Sequence, residues 1–363
     1  MRALDRVEVL GFKSIRKMDL KLRSLNVLIG ANGAGKSNFI TIFSLLNHIV
    51  ENNLQRFVGN AGGADSLLYF GHRQTNEIVF RLHFGSNGYE AKLSVSKKNS
   101  LFFSEESCWF QGVGYSKPYV VSLGSGHEET GLHEEATQRK GKIASYVIDD
   151  LRDWKVYHFH DTSDKAAVKK VCDIGDNVRL RPDASNLAAF LYLLKKKKSD
   201  HYERIVGTIR LVAPFFDDFV LRPDPLNTNK IQLEWKEKDS DAYFNAYSLS
   251  DGTLRFICLA TLLLQPTLPS TILIDEPELG LHPYAITTLA GLLESAGKRT
   301  QVIVSTQSVP LVNQFSPSEI IVVDRDNNQS IFKRLDETDM QHWLEEYGLG
   351  DLWEKNVLGG RPS

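Results

Sequence analysis

Two short stretches carry residues whose types and spacing could act on a chain of phosphates. The first runs Gly30-Ala31-Asn32-Gly33-Ala34-Gly35-Lys36-Ser37 and meets the spacing G-x-x-x-x-G-K-[ST]. Glycines at these places let successive backbone N–H groups turn inward on phosphate oxygens, and a helix starting near Lys36 adds its positive end. Lys36 would reach the β- and γ-phosphates, and the Ser37 hydroxyl would ligate Mg²⁺. Asn32, Gly33, Ala34, Gly35 and Asn38 complete the expected nucleotide-binding set. The second stretch is Thr271-Ile272-Leu273-Ile274-Asp275-Glu276, an apolar run ending in two acids. Asp275 would hold Mg²⁺, often through water, and Glu276 would orient or deprotonate the water that attacks the γ-phosphate. Two surface acids at a strand end are common in any protein; the glycine loop upstream gives this pair its meaning.

Elements must bring these residues together. Leu25–Ile29 reads as a buried strand and Lys36–Val50 has helical spacing, which is the context the loop requires. Before them, residues 5–21 alternate apolar and polar residues as a hairpin would; after them, residues 77–124 read as several short antiparallel strands with Gly, Asn and Ser turns. Residues 124–140 are polar and read as a loop or exposed arm. The stretch DWKVYHFHDTS reads as a strand running into a helix start. Residues 184–216 read as a helical pair broken near Ser199-Asp200, and an apolar helix follows Ser250 and ends at Pro266. Apolar strands then recur at 271–275, 301–306 and 319–324, alternating with helices, and a short tail with a helix closes the chain. The last third therefore implies an α/β fold with a mainly parallel sheet covered on both faces.

Composition excludes some classes. The 363 residues carry 43 Lys+Arg against 45 Asp+Glu, a formal net charge of −2, so any nucleic-acid surface must be local. No apolar run reaches the ~18–20 residues of a membrane span and the start lacks a signal-peptide pattern, so the expectation is a soluble, cytoplasmic protein with no membrane partner. Cys108, Cys172 and Cys258 are scattered and point to no metal.

A third motif places the chain in a family. Leu249-Ser250-Asp251-Gly252-Thr253, one apolar helix upstream of Asp275, resembles the LSGGQ signature of ABC-type ATPases in the form found in RecF-like, SMC-like and OLD-like members. Locally, Ser250 can cap the helix that begins near Asp251, and with Gly252 the helix start offers N–H groups to a phosphate. The resemblance implies a P-loop ATPase core with a mixed sheet, ATP and Mg²⁺ as cofactors, and a homodimer or higher oligomer in which Ser250 and Gly252 of one subunit cap the nucleotide of another. Pro277–Pro283 looks like the D-loop where such halves meet. Ile303–Ser308 looks like the switch strand, with Gln307 where the family usually has His. Gln307 can donate a hydrogen bond but cannot be protonated, which bears on hydrolysis rather than binding; it also fits an ordinary polar residue before a helix. The Q-loop glutamine has only Gln74 as its nearest candidate. GFKSI, GGADSLLYFG, YHFHDTS and NLAAFLYLL are weaker matches to the same group.

The resemblance implies boundaries: 1–97 and 245–335 as the two parts of the ATPase core, 98–244 as an inserted β-rich and helical lid, and 336–363 as a tail. Lid lysines Lys195–Lys198, with Lys169, Lys170, Arg179 and Arg181, read either as a solvated face or as a contact to DNA phosphates. His158 and His160, with Asp161, have a spacing that suits a metal, although on a strand both His share one face and a packing role competes. Too few residues follow Asp324 for the Toprim nuclease domain of OLD-like proteins, so a nuclease or toxin would come from a partner. The function implied is an ATP-driven switch in DNA repair or antiphage defence. A transporter-type ATPase subunit and a scaffold that binds ATP with little hydrolysis are the rivals.

Overall fold

The computed structural model describes residues 3–138 and 142–360. Two sheets of six strands organise it. β1 (Arg6–Phe12) and β2 (Ile15–Lys21) form the expected hairpin, and β3 (Leu25–Ile29) enters the loop that leads to α1 (Lys36–Val50) and the short α2 (Leu54–Asn60). β4 (Glu77–Phe84), β5 (Asn87–Val95), β6 (Leu101–Phe110) and β7 (Tyr119–Gly124) extend the hairpin into an antiparallel sheet of order β2-β1-β4-β5-β6-β7. In β4 every second residue (Ile78, Phe80, Leu82, Phe84) is buried, the period-two pattern of a sheet with one covered face.

Residues 125–131 are the loop expected, but the stretch 124–138 is not a free arm. It contains α3 (Leu132–Thr137), whose Leu132 is buried, and it fastens the end of α1 to the sheet. The Glu129 carboxylate accepts from Leu54 and Gln55 N–H, and the His133 Nε2 lies 2.6 Å from the Val50 carbonyl. Some of the polar side chains here serve hydrogen bonds to helix ends. Residues 139 and 140 of that stretch lie outside the described residues.

α4 (Lys142–Arg152) packs on α1 and leads into β8 (Trp154–Tyr157). No helix starts after β8; a single 3-10 turn, Ala167–Lys169, follows in the connection. β9 (Cys172–Asp173), α5 (Leu187–Lys197), α6 (Ser199–Val212), β10 (Phe216–Phe219), β11 (Lys230–Ile231), β12 (Glu234–Glu237) and β13 (Tyr243–Asn245) make a helical pair with small antiparallel sheets. α7 (Asp251–Leu264), β14 (Thr271–Asp275), α8 (Pro283–Gly297), β15 (Gln301–Thr306), α9 (Val309–Val312), β16 (Ile320–Asp326) and β17 (Gln329–Arg334) follow. The tail holds two helices, α10 (Glu337–Leu344) and α11 (Leu349–Glu354).

The second sheet has order β17-β16-β3-β15-β14-β8, parallel from β16 to β8 with β17 antiparallel at one edge. It is the mixed sheet that the resemblance implied. Its strands bury both faces, so alternate residues enter different cores. Leu28, Leu273, Ile303 and Ile321 pack with α1, α4 and the antiparallel sheet. Val27, Ile272, Ile274, Val302 and Val304 pack with α5 to α8. The stretch 98–244 is accordingly not one lid: β6 and β7 complete the antiparallel sheet and β8 is an edge strand of the central one.

Candidate nucleotide-binding site

The glycine loop connects the buried end of β3 to the first turn of α1. Lys36 is 6% exposed, and its Nζ folds back to donate to the carbonyls of Gly30 at 2.5 Å and Ala31 at 3.0 Å. Burial pulls its pKa down, while the charges of Glu276, Asp275 and Glu278, in and just after β14, pull it up. Gly35 has φ 119°, and a Cβ there would lie 2.1 Å from the Ser330 Oγ. Only glycine fits that crowded, left-handed position. Asn32, Gly33 and Ser37 are exposed, and the space around Gly33 is open.

Two serines hold the loop from behind. Ser330 Oγ donates to the Ala34 carbonyl at 2.5 Å and lies 2.6 Å from Ser14 Oγ, and the Ser330 N–H donates to the Ser14 carbonyl at 2.7 Å. Asn38, expected at the nucleotide, instead donates its amide to Ser14 Oγ at 2.7 Å. The GFKSI stretch contained Ser14 without indicating this role, and Ser330 carried no sequence signal.

β14 pairs with β15 so that Asp275 stands opposite Ser305. The chain then turns sharply. Glu276 has φ 40°, an uncommon and costly conformation for a glutamate, worth about 1–3 kcal/mol. Its N–H donates to the Ser305 carbonyl at 2.7 Å, and the Gln307 Nε2 donates to its Oε1. Gln307 is therefore not simply a polar residue before a helix: its side chain grips the carboxylate expected to activate water. Glu278 stands behind both. Its Oε1 accepts from Thr306 Oγ1 at 2.5 Å and from the Gln307 N–H at 3.3 Å, and burial raises its pKa. Sequence reasoning missed Glu278, although the repeated acid in Glu276-Pro277-Glu278 was visible.

The signature residues form a second group. Ser250 is exposed and caps α7, accepting from the Thr253 N–H at 3.2 Å. Gly252 lies against the D-loop of its own chain, where a Cβ would come within 2.3 Å of the Gly280 carbonyl oxygen. Arg255, also missed, is 5% exposed and donates from Nε to the Phe159 carbonyl at 3.0 Å and from Nη2 to the His160 carbonyl at 3.1 Å. Among the described residues no hydrogen bond joins Ser250 or Gly252 to the glycine loop.

Other expectations change. The register Tyr157↔Ile274 puts His158 beside Asp275, with its side chain partly exposed, so packing does not explain it. Its pKa is lowered by partial burial first and by His160 second, with Asp275 opposing. Among the described residues no three His, Cys, Asp or Glu are grouped to hold a metal, which removes the His158, His160 and Asp161 site. Gln74 lies in the turn before β4, lining a surface hollow with Leu10, Arg16 and Glu77. Several of the lid's basic groups are engaged: Lys195 with Asp218 at 2.8 Å, Arg179 with Asp153 at 3.2 Å, Arg181 with Asp176 at 2.6 Å. Lys195–Lys198 are all exposed. Among the described residues no helix is long and apolar enough to cross a membrane.

The family described as "AAA domain, putative AbiEii toxin, Type IV TA system" matches residues 25–112 and 113–313, the whole span from β3 to the end of α9. The chain belongs to that family. A relative named Old nuclease, from Escherichia phage P2, is 21% identical over 371 residues, covering 91% of this chain and 61% of its own length. A "Putative ABC transporter ATP-binding protein" of Methanosarcina acetivorans is 31% identical over 104 residues, 28% of this chain and 37% of that protein. The chain thus spans less than two thirds of either curated relative. Among solved structures, an Smc head bound to the C-terminal winged-helix domain of ScpA aligns over 93% of this chain and 99% of its own, with TM-score 0.61 and 15% identity. The Smc head with an extended coiled coil from Pyrococcus furiosus, bound to the C-terminal domain of ScpA, gives TM-score 0.59 at 14% identity over 95% of this chain and 99% of that one. These likenesses show the fold.

Proposed function

We propose that this protein binds and hydrolyses ATP at Lys36, Asp275, Glu276 and Gln307, and that Ser250 and Gly252 of a second copy complete each site. The observation that carries the reading is the bond from Gln307 to Glu276: it fixes a strained carboxylate whose charge is felt by the Lys36 ammonium. Backbone N–H groups of residues 33–37 would cradle the phosphates. The Ser37 hydroxyl and Asp275 carboxylate are hard oxygen donors of the kind Mg²⁺ takes, and the ion would neutralise charge between the β- and γ-phosphates. Glu276 receives the proton of the attacking water, and Gln307 holds Glu276 in line. Ser250 caps α7, is exposed and is unattached to its own glycine loop, which supports a role towards another chain. Closure on ATP and release after hydrolysis would make the nucleotide a switch.

The test mixes two inactive proteins. Lys36→Ala with Ser250→Arg gives heterodimers in which one site carries both lesions and the other carries neither. Phosphate release should reappear on mixing, to roughly a quarter to a half of wild type if subunits exchange at random. Heterodimers that form without any turnover would overturn the shared site.

The Old nuclease relative and the toxin–antitoxin description of the family support a use in DNA-linked processes such as repair or phage defence, acting with a separate nuclease or toxin. This step rests on analogy. A scaffold with little hydrolysis is favoured by one observation, that Gln307 occupies an oxygen of Glu276; a turnover assay separates the two.

A further inference from the structure

Gln307 is held at both ends by one short turn. Its side-chain Nε2 donates to Glu276 Oε1, and its backbone N–H donates to Glu278 Oε1 at 3.3 Å. The two acids flank Pro277, which is buried and whose ring fixes the backbone between them. The same Glu278 oxygen accepts from Thr306 Oγ1 at 2.5 Å, and that hydroxyl accepts in turn from the Ser308 N–H at 3.0 Å. One carboxylate oxygen therefore fixes residues 306–308, the end of β15 and the turn into α9 on which Gln307 stands. The Glu278 carbonyl accepts from the Leu281 N–H at 3.0 Å, so the acid is fixed from its own loop as well.

The other oxygen shows that this acid does not serve the surface. Glu278 Oε2 is buried, and among the described residues no donor reaches it. A carboxylate that supplied only surface charge would turn that oxygen to water; leaving it buried and unpaired costs free energy. Burial is the largest cause of the raised pKa of the group, against which the Thr306 and Gln307 donors pull. Such a cost is tolerated where the remaining oxygen has a duty, and here that oxygen is spent on Thr306 and Gln307.

We infer that Glu278 is a positioning residue for hydrolysis: it sets the place of Gln307 and, through Gln307, the direction of the Glu276 carboxylate. This rests on the roles of Glu276 and Gln307 proposed above and adds the acid that fixes their geometry. Glu278 acts without touching the reacting atoms.

Steady-state kinetics and amide hydrogen exchange test it together. Glu278→Ala removes the acceptor. Its kcat for phosphate release should fall about tenfold or more, the cost of a misplaced catalytic group, while KM and binding of a fluorescent ATP analogue change less than about twofold. Glu278→Gln keeps an acceptor oxygen at that place and should return kcat to within about threefold of wild type. In the nucleotide-free protein, the amides of residues 307 and 308 should exchange about tenfold faster in Glu278→Ala than in wild type, and at the wild-type rate in Glu278→Gln. Added to Gln307→Ala, Glu278→Ala should lower kcat less than about twofold further, because it acts through Gln307. Additive losses in that pair would overturn the inference, and so would wild-type exchange or wild-type kcat in Glu278→Ala. Equal damage from Glu278→Gln and Glu278→Ala would overturn it too, since charge and not position would then be the contribution. If the Ala variant does not fold, Glu278→Asp, one methylene shorter, decides on the same terms. Undiminished turnover in Glu276→Gln or in Gln307→Ala, by contrast, would remove the roles on which this rests, and exchange at residues 307 and 308 would still report whether Glu278 fixes the turn.

Discussion

Glu276 combines a left-handed backbone with a side chain held by Gln307, and both features fix where its carboxylate points. Strain of that kind persists only where surrounding bonds over-determine it, here the donation from Glu276 N–H to Ser305 and the Gln307 amide. Replacing the carboxylate by an amide keeps shape and removes basicity. Glu276→Gln should bind ATP as wild type does and lose about 10²–10³-fold in steady-state phosphate release, the usual worth of a positioned base. Turnover within a few-fold of wild type would take Glu276 out of that role. Lys36 belongs at this scale too: its ammonium rests on the carbonyls of Gly30 and Ala31, contacts it would exchange for phosphate oxygens.

β6, the 124–131 connection and α3 form a fastening whose polar centre is buried. Glu106 is 0% exposed; it accepts from the Tyr89 hydroxyl at 2.6 Å, from Thr130 Oγ1 at 2.5 Å and from the Gly131 N–H at 2.8 Å, with the His127 Nε2 3.6 Å away. Burial raises its pKa despite those donors, and burial first, then Glu135 and Glu106, push the Cys108 thiol up to about 12. A folded-state pKa above the unfolded one means that the folded protein binds the proton more tightly. That contribution is fully present below the unfolded value, near 4.5, and is lost as pH rises through the folded value. The stability of wild type relative to Glu106→Gln should therefore fall between pH 4.5 and the raised pKa, by about 1.4 kcal/mol for each unit of separation. Denaturant unfolding of both proteins across that range measures it, and parallel curves would contradict it. Because this fastening grips the end of α1, its loosening would be felt in the helix that carries Lys36.

One chain by itself supplies a glycine loop and acids that converge, and a capped signature helix that does not meet them. The chain's own D-loop is wedged against that helix, with Gly280 touching Gly252 and Arg255 bridging to the carbonyls after β8. Leu279 and Tyr284 stay exposed beside it, 50% and 55%. An apolar, exposed D-loop next to an exposed signature is a surface suited to a second copy. With ATP and Mg²⁺, Glu276→Gln should accumulate a species of twice the monomer mass by light scattering. ADP should not support it, and neither should adding Ser250→Arg to the same chain. A mass unchanged by ATP at all protein concentrations would contradict the two-copy arrangement.

Which motifs the chain carries was determined by sequence alone, because each rests on local rules: glycines where backbone must approach phosphate, an apolar strand ending in Asp275 and Glu276, a Ser250 cap. The alternation in β1 to β7 and the continuous apolar runs of β3, β14 and β15 likewise disclosed one-faced and two-faced sheets. Tertiary structure decided the rest. Ser14 and Ser330 meet behind the glycine loop although 316 positions separate them, and no spacing rule reaches that far. β8 was legible as a strand in DWKVYHFHDTS, but its place in the central sheet, which sets His158 beside Asp275, depends on pairing with β14 far along the chain, and no local pattern encodes that partner. Glu129, in the stretch read as a polar loop or exposed arm, is engaged, since a carboxylate spends its acceptors on N–H groups that only folding brings near. Local chemistry is written along the chain; whether a polar side chain faces water or another element depends on distance in space, which composition does not encode.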